Sequence, residues 1–165
     1  MATVNPPRTK AQRVLIGAAS LGPLGHLPAS GTLTVLIVGV PMVCAMHRMS
    51  DPLYLAVTIG FTLLAVWIHD VGDAILGEKD SRKLVWDELV GFLVACALLP
   101  TLTWRLLALA FVVERLIDIV KVPPANWVER RWPGGWGVVG DDVVAGLYTR
   151  GVLHVAMALV PALTG

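Results

Sequence analysis

Trp86-Asp87-Glu88-Leu89-Val90-Gly91 opens an apolar run that continues to Trp104. The run lacks the every-second-residue alternation of a half-exposed strand, so it reads as helix. Asp87 and Glu88 stand at its start, where carboxylates favour the positive end of the helix dipole. The arrangement returns later as Gly134-Gly135-Trp136-Gly137-Val138-Val139-Gly140-Asp141-Asp142-Val143-Val144-Ala145-Gly146. Working outward from these two stretches, apolar runs cover about residues 32–46, 53–68, 89–104, 106–120 and 143–162. The fold class expected is all-α, a compact multi-helix bundle.

Only 15% of the 165 residues are charged and 56% are hydrophobic, against about 25% charged in soluble domains. This composition fits a multi-pass membrane protein with about four to five short hydrophobic helices or a compact helical domain lying on the membrane surface, most runs being shorter than the ~20 residues of an unaided span; the charge distribution favours spans. Residues 1–13 read as a disordered basic tail, and residues 14–165 as a single helical domain. Residues 14–31 are apolar but broken by Gly22, Pro23, Gly25, Pro28 and Gly31, which suggests an interfacial or re-entrant segment. If every run crosses and the N-terminus is cytoplasmic, nine basic residues lie inside (Arg8, Lys10, Arg13, Lys79, Arg82, Lys83, Lys121, Arg130, Arg131) and two outside (Arg48, Arg105). Basic residues are retained on the cytoplasmic side, so both acidic doublets would face the cytoplasm. Trp67, Trp86 and Trp104 end runs, as headgroup-layer rings do. No basic patch with interleaved aromatics points to nucleic acid. Cys44 and Cys96 sit inside apolar runs and read as buried packing residues.

Carboxylates at a membrane boundary are costly to dehydrate and call for a cation or a task. Asp80, Asp87, Glu88, Asp118, Asp141 and Asp142 form the pool of candidate metal ligands and general base. An oxygen-only set of this kind suits Mg²⁺. Arg115, Asp118 and Lys121 are spaced by three on a helix, so Arg115 and Lys121 are candidates to hold a phosphate beside a metal on Asp118. Arg115 and Asp118 read equally well as a self-neutralising structural pair. Glu114 is either a further ligand or a partner for a base. Gly134 and Gly135 offer backbone amides that could meet a phosphate at a helix start. Asp70 and Asp73 read as solvated helix ends, and His69 as a polar cap on a span. The competing class is a small ion-coupled transporter; its acids belong in mid-span, whereas these collect at run ends.

Three blocks resemble the phosphatidylglycerophosphatase A family. They are Gly77-Glu78-Lys79-Asp80 with Leu84-Val85-Trp86-Asp87-Glu88-Leu89-Val90-Gly91, then Phe111 to Lys121 with Pro124, then Gly134 to Gly146. The family's N-terminal Pro-Gly-Thr-x-Gly-Ser segment survives here only as Gly31-Thr32; Glu114 replaces an aromatic and Val122 a proline. The resemblance implies a Mg²⁺-dependent phosphatase of the bacterial inner (cytoplasmic) membrane. Its substrate would be phosphatidylglycerophosphate, with the active site facing the cytoplasm and Asp87, Glu88, Asp118, Asp141 and Asp142 as metal ligands. The sequence leaves the oligomeric state open.

Overall fold

The structure is a computed structural model and describes residues 9–164. The described residues form helices joined by loops, without a strand. The elements are α1 (Lys10–Ala19), α2 (Ser30–Thr34), α3 (Val40–Met46), α4 (Asp51–Leu76), α5 (Trp86–Cys96), α6 (Trp104–Val120), α7 (Ala125–Arg131) and α8 (Gly134–Leu159). A π-wound turn, Val35–Gly39, joins α2 to α3.

Most of the expected basic tail, residues 1–8, lies outside the described residues. Its last part departs from expectation, because Lys10 to Arg13 open α1. The reason is local: Thr9 and Gln12 form a reciprocal capping box, with Thr9 N–H donating to Gln12 Oε1 at 2.8 Å and Gln12 N–H to Thr9 Oγ1 at 3.2 Å, which satisfies two otherwise orphaned donors.

α5 is the inner helix. Leu89, Val90, Phe92, Leu93, Ala95 and Cys96 are all buried, so it is apolar on every side, as a fully surrounded helix must be. At 11 residues it is much shorter than the run expected from 89 to 104; the chain leaves the helix at Ala97 and turns at Leu98, which has positive φ. α8 is the chief partner of α5. It begins at Gly134, nine residues before the apolar run predicted there, and thus absorbs the Gly-rich stretch into a 26-residue helix.

Two glycines set the crossing of α5 and α8. A Cβ at Gly91 would meet Glu114 Oε1 at 2.9 Å and Asp142 O at 3.0 Å; one at Gly146 would strike Gly91 O and stand 3.0 Å from Val94 Cβ. Backbones can approach this closely only where side chains are missing.

α4 runs opposite to α5, and α6 opposite to α8. The C-terminal ends of α4 and α6 therefore meet the N-terminal ends of α5 and α8 at one end of the bundle. The core at the other end is built from Val43, Met46, Tyr54, Phe92, Leu93, Leu106 and Leu153. Of the two cysteines, Cys96 is buried as expected and Cys44 is exposed; both are free.

Candidate active site

The end where these helices meet holds a cavity of about 640 Å³, within the ~300–1,000 Å³ usual for small-ligand sites. All six candidate carboxylates line it: Asp80, Asp87, Glu88, Asp118, Asp141 and Asp142. So do both candidate phosphate-binding bases, Arg115 and Lys121. Asp87 and Glu88 come from the first turn of α5 and Asp118 from the last turn of α6. Asp141 and Asp142 lie two turns into α8 and reach the others because Gly91 lets α8 close on α5.

The floor is dry. Asp141 and Asp142 are each 4% exposed and Asp87 6%. Three buried carboxylate oxygens, Asp87 Oδ1, Glu88 Oε2 and Asp142 Oδ1, receive no hydrogen bond. Unfilled lone pairs on buried carboxylates carry a large desolvation cost. Among the described residues no three His, Cys, Asp or Glu side chains close around a point as a preformed metal centre.

The bases are already engaged. Arg115 donates through Nε and Nη2 to both oxygens of Glu114, each at 2.7 Å, and Glu114 is fully buried. Glu114 is therefore the partner of a base. Nη1 of Arg115 lies 3.3 Å from Asp118 Oδ2, and Nη2 lies 4.0 Å from Asp142 Oδ1. The pairing of Arg115 with Asp118 thus exists alongside a place in the cavity wall. Lys121 ends α6 in the left-handed region (φ 50°), an uncommon conformation for a side-chain-bearing residue. Its Nζ donates to Asp141 Oδ2 at 2.7 Å and pairs with Glu129 Oε2 at 3.0 Å. Burial pulls the Lys121 ammonium down, but Asp141 and Glu129 outweigh it and hold its pKa above the ordinary lysine value. At the cavity mouth, partial desolvation and then the charge of Asp87 push the Asp80 carboxyl above its usual value.

Gly134 and Gly135 are not part of the cavity wall. The Gly135 amide donates to Asp70 Oδ1 at 2.6 Å, and Gly134 lies against the same carboxylate. The expectation that the Gly135 amide meets a phosphate is corrected, because Asp70 of α4 takes it at the start of α8, which has no side-chain cap of its own; Gly134 lies outside the cavity lining. Asp70 is therefore a capping group for another helix, where the sequence suggested a solvated end. Asp73 likewise accepts the Asp80 N–H at 2.9 Å and the Ser81 N–H at 3.1 Å, fixing the α4–α5 loop that carries Asp80.

Two parts of the site were not placed there by the sequence reading, which took His69 for a polar cap on a span. His69 is fully buried, with Nε2 3.3 Å from Asp87 Oδ1 and Nδ1 3.8 Å from Asp73 Oδ2. It stands close behind Asp87, off hydrogen-bond alignment. Only its i,i+4 relation to Asp73 was visible in the chain. The second part is the segment that leads into α2 and its first turn. Gly25 to Thr32 forms one wall of the cavity, and Gly31 packs so closely on Glu88 that a Cβ there would strike its carboxylate. The shortened N-terminal block therefore still reaches the site.

Fold and cavity define a class: an all-helical protein that sets a carboxylate-rich, base-buttressed chamber, suited to a phosphate ester, at one end of a bundle with apolar outer faces. The chain belongs to the phosphatidylglycerophosphatase A family, whose sequence model matches residues 17–157. It is 38% identical over 79 residues to phosphatidylglycerophosphatase A of Escherichia coli, a match covering 48% of this chain and 46% of that one. It is 31% identical over 121 residues to the Haemophilus influenzae protein of the same name, covering 73% and 74%. A Bacteroides thetaiotaomicron protein provisionally named phosphatidylinositol-3-phosphatase is 35% identical over 104 residues, covering 61% and 64%. The match thus spans about half the length of the E. coli relative and about three quarters of the H. influenzae one. No solved structure matches the chain.

Proposed function

We propose that this chain is a Mg²⁺-dependent phosphoric monoester hydrolase that converts phosphatidylglycerophosphate to phosphatidylglycerol and phosphate in phospholipid biosynthesis. The observation that carries the reading is the cavity: six carboxylates from four separated segments around three unfilled buried oxygens, in a chain whose named relatives are phosphatases of lipids. The ion-coupled transporter alternative has no such support.

The donor chemistry fits a hard dication, which uses one or two carboxylates and completes its shell with water and phosphate oxygens. Asp87, Glu88 and Asp142 would hold it through their unfilled oxygens, with Asp118 and Asp141 beside them. When bound, Mg²⁺ supplies Lewis-acid charge on the phosphate and lowers the pKa of an adjacent water. The protein supplies the rest. One of the floor carboxylates takes the proton of the water that attacks phosphorus. The P–O bond to glycerol breaks as the new P–O bond forms, and the leaving oxygen regains a proton. Arg115 and Lys121, fixed by Glu114 and by Asp141 with Glu129, keep positive charge at the chamber wall without a reorganisation step.

The same proposal places the protein in the bacterial inner membrane, as a multi-pass bundle with its chamber at the cytoplasmic headgroups. Of the four to five expected spans, one among the described residues, α4, is long and apolar enough to cross a membrane unaided, and only 33% of its most apolar window is buried. Ile59, Leu63 and Trp67 of α4, Val112 and Ile119 of α6, and Val155 and Leu159 of α8 are exposed. Apolar side chains thus face outward on three helices, which supports a lipid-facing surface. The names of the relatives fit a lipid reading too, since phosphatidylglycerophosphate and phosphatidylinositol 3-phosphate both carry a phosphomonoester and a phosphodiester on one headgroup.

Phosphate release from phosphatidylglycerophosphate by the purified chain tests the reading. Release should require added Mg²⁺ and stop on chelation; release that survives chelation removes the metal from the proposal, and no release removes the substrate.

A further inference from the structure

The cavity has two sets of bases in different states. At the floor, Arg115 and Lys121 are bound to carboxylates at 2.7 Å. At the mouth, Arg82 and Lys83 also line the cavity, and they are nearly uncommitted. No carboxylate among the described residues lies within ion-pair distance of Arg82, which is exposed. Lys83 has only a loose contact with Glu78 at 3.9 Å. Their backbone is pinned to the adjoining segment of the wall. The Ser30 hydroxyl donates to Arg82 O at 2.9 Å, and Gly25 packs against Lys83 O so tightly that a Cβ would strike it. Two cations with little or no ion pairing therefore stand on a backbone fixed to its neighbouring segment, in the same cavity as a floor whose own bases are already paired.

We infer that Arg82 and Lys83 form a second anion subsite, which takes the phosphodiester of the same lipid whose phosphomonoester enters the floor. The inference rests on the lipid-phosphatase reading and adds the source of its selectivity. The floor recognises a terminal phosphate, which most bilayer lipids lack. The mouth recognises a diester, which a simple phosphomonoester lipid lacks. Only a headgroup carrying both groups fills both sites. Charge-assisted hydrogen bonds from Arg to phosphate supply the attraction, and the pinned backbone lowers the cost of ordering the two side chains.

The test uses the full chain in neutral-detergent micelles, so that no anionic surface contributes. Wild type, the double variant Arg82→Gln/Lys83→Gln and the charge-conserving Arg82→Lys/Lys83→Arg are compared on phosphatidylglycerophosphate and on phosphatidic acid, which has the monoester alone. The Gln pair should lower kcat/KM for phosphatidylglycerophosphate about tenfold or more, through KM. It should change phosphatidic acid turnover less than about threefold, and the charge-conserving pair should recover most of the loss. An equal fall on both substrates would assign the residues to a general field or to folding and overturn the subsite, as would no fall on either. If wild type hydrolyses neither lipid, the underlying phosphatase reading fails and the subsite fails with it; that result appears in the wild-type arm, separate from any effect of the variants.

Discussion

Replacing Gly91 with alanine isolates the geometry of the chamber from its chemistry, because no charged or polar group is altered. The added Cβ would sit 2.9 Å from Glu114 Oε1, 3.0 Å from Asp142 O and 3.2 Å from Asp142 Cβ. The two closest contacts are short of ordinary separation by about 0.5 Å and 0.4 Å, so α8 or Glu114 must shift by roughly that much. Overpacking of this kind costs about 1–3 kcal/mol, and alanine regains about 1 kcal/mol of helix propensity over glycine. The net loss expected is about 0–2 kcal/mol, a fall in Tm of less than about 8 °C for a chain of this length. The displaced groups are Asp142 and the Glu114 that holds Arg115. A misplacement of about half an ångström to 1 Å at reacting groups costs roughly ten- to a hundredfold in rate. Phosphate release should therefore fall far more than stability does. Gly60→Ala and Gly151→Ala are the controls, since a Cβ at either meets nothing within 4 Å; both should keep full activity and equal or higher Tm. A Gly91→Ala protein with wild-type kcat would refute the claim that the α5–α8 crossing sets the chamber.

The remaining predictions concern its charges. Glu114→Gln leaves the buried Arg115 with half its compensation and should destabilise by about 3–5 kcal/mol, seen as a large fall in the denaturation midpoint; Glu114→Gln/Arg115→Met should recover part of it, and a double variant worse than the single would oppose the pairing. Asp70→Ala removes the cap on α8 and should cost about 1 kcal/mol with little change in KM; a change in KM above threefold would place Asp70 in substrate binding. Asp80 has a raised folded pKa, so its ionised form opposes folding above that pKa and the opposition is relieved as pH falls through it. Asp80→Asn should therefore match or exceed wild-type Tm at pH 7, all the more because asparagine tolerates the left-handed backbone (φ 56°) found there, and its advantage should narrow toward pH 3. A Tm gap that widens on acidification would contradict this sign. Asp142→Asn should abolish phosphate release while the protein stays folded, and full activity would count against the floor.

The long helices α4, α5, α6 and α8 were legible, with shifted ends, as apolar runs without alternation, two of them marked by acidic doublets, whereas α1 and α7 were not. The six carboxylates and two bases were legible as residue types whose charge is out of place in so apolar a chain. The three blocks of the family resemblance lie within the region its sequence model matches. What the chain could not show is which amides, acids and bases face one another. Gly134 and Gly135 looked free to hold a phosphate because nothing within the block shows that Asp70, some 65 positions earlier, already accepts the Gly135 amide. His69 looked like a cap because Asp87, the carboxylate it faces, belongs to another helix. Glu114 had two open readings until the fold buried it against Arg115 and closed α5 over it. Composition and periodicity report what one helix does with its own neighbours. Convergence of acids from α5, α6, α8 and the α4–α5 loop depends on how closely whole helices pack, and that distance is fixed by two missing side chains, at Gly91 and Gly146, whose meaning exists only once both helices are in place.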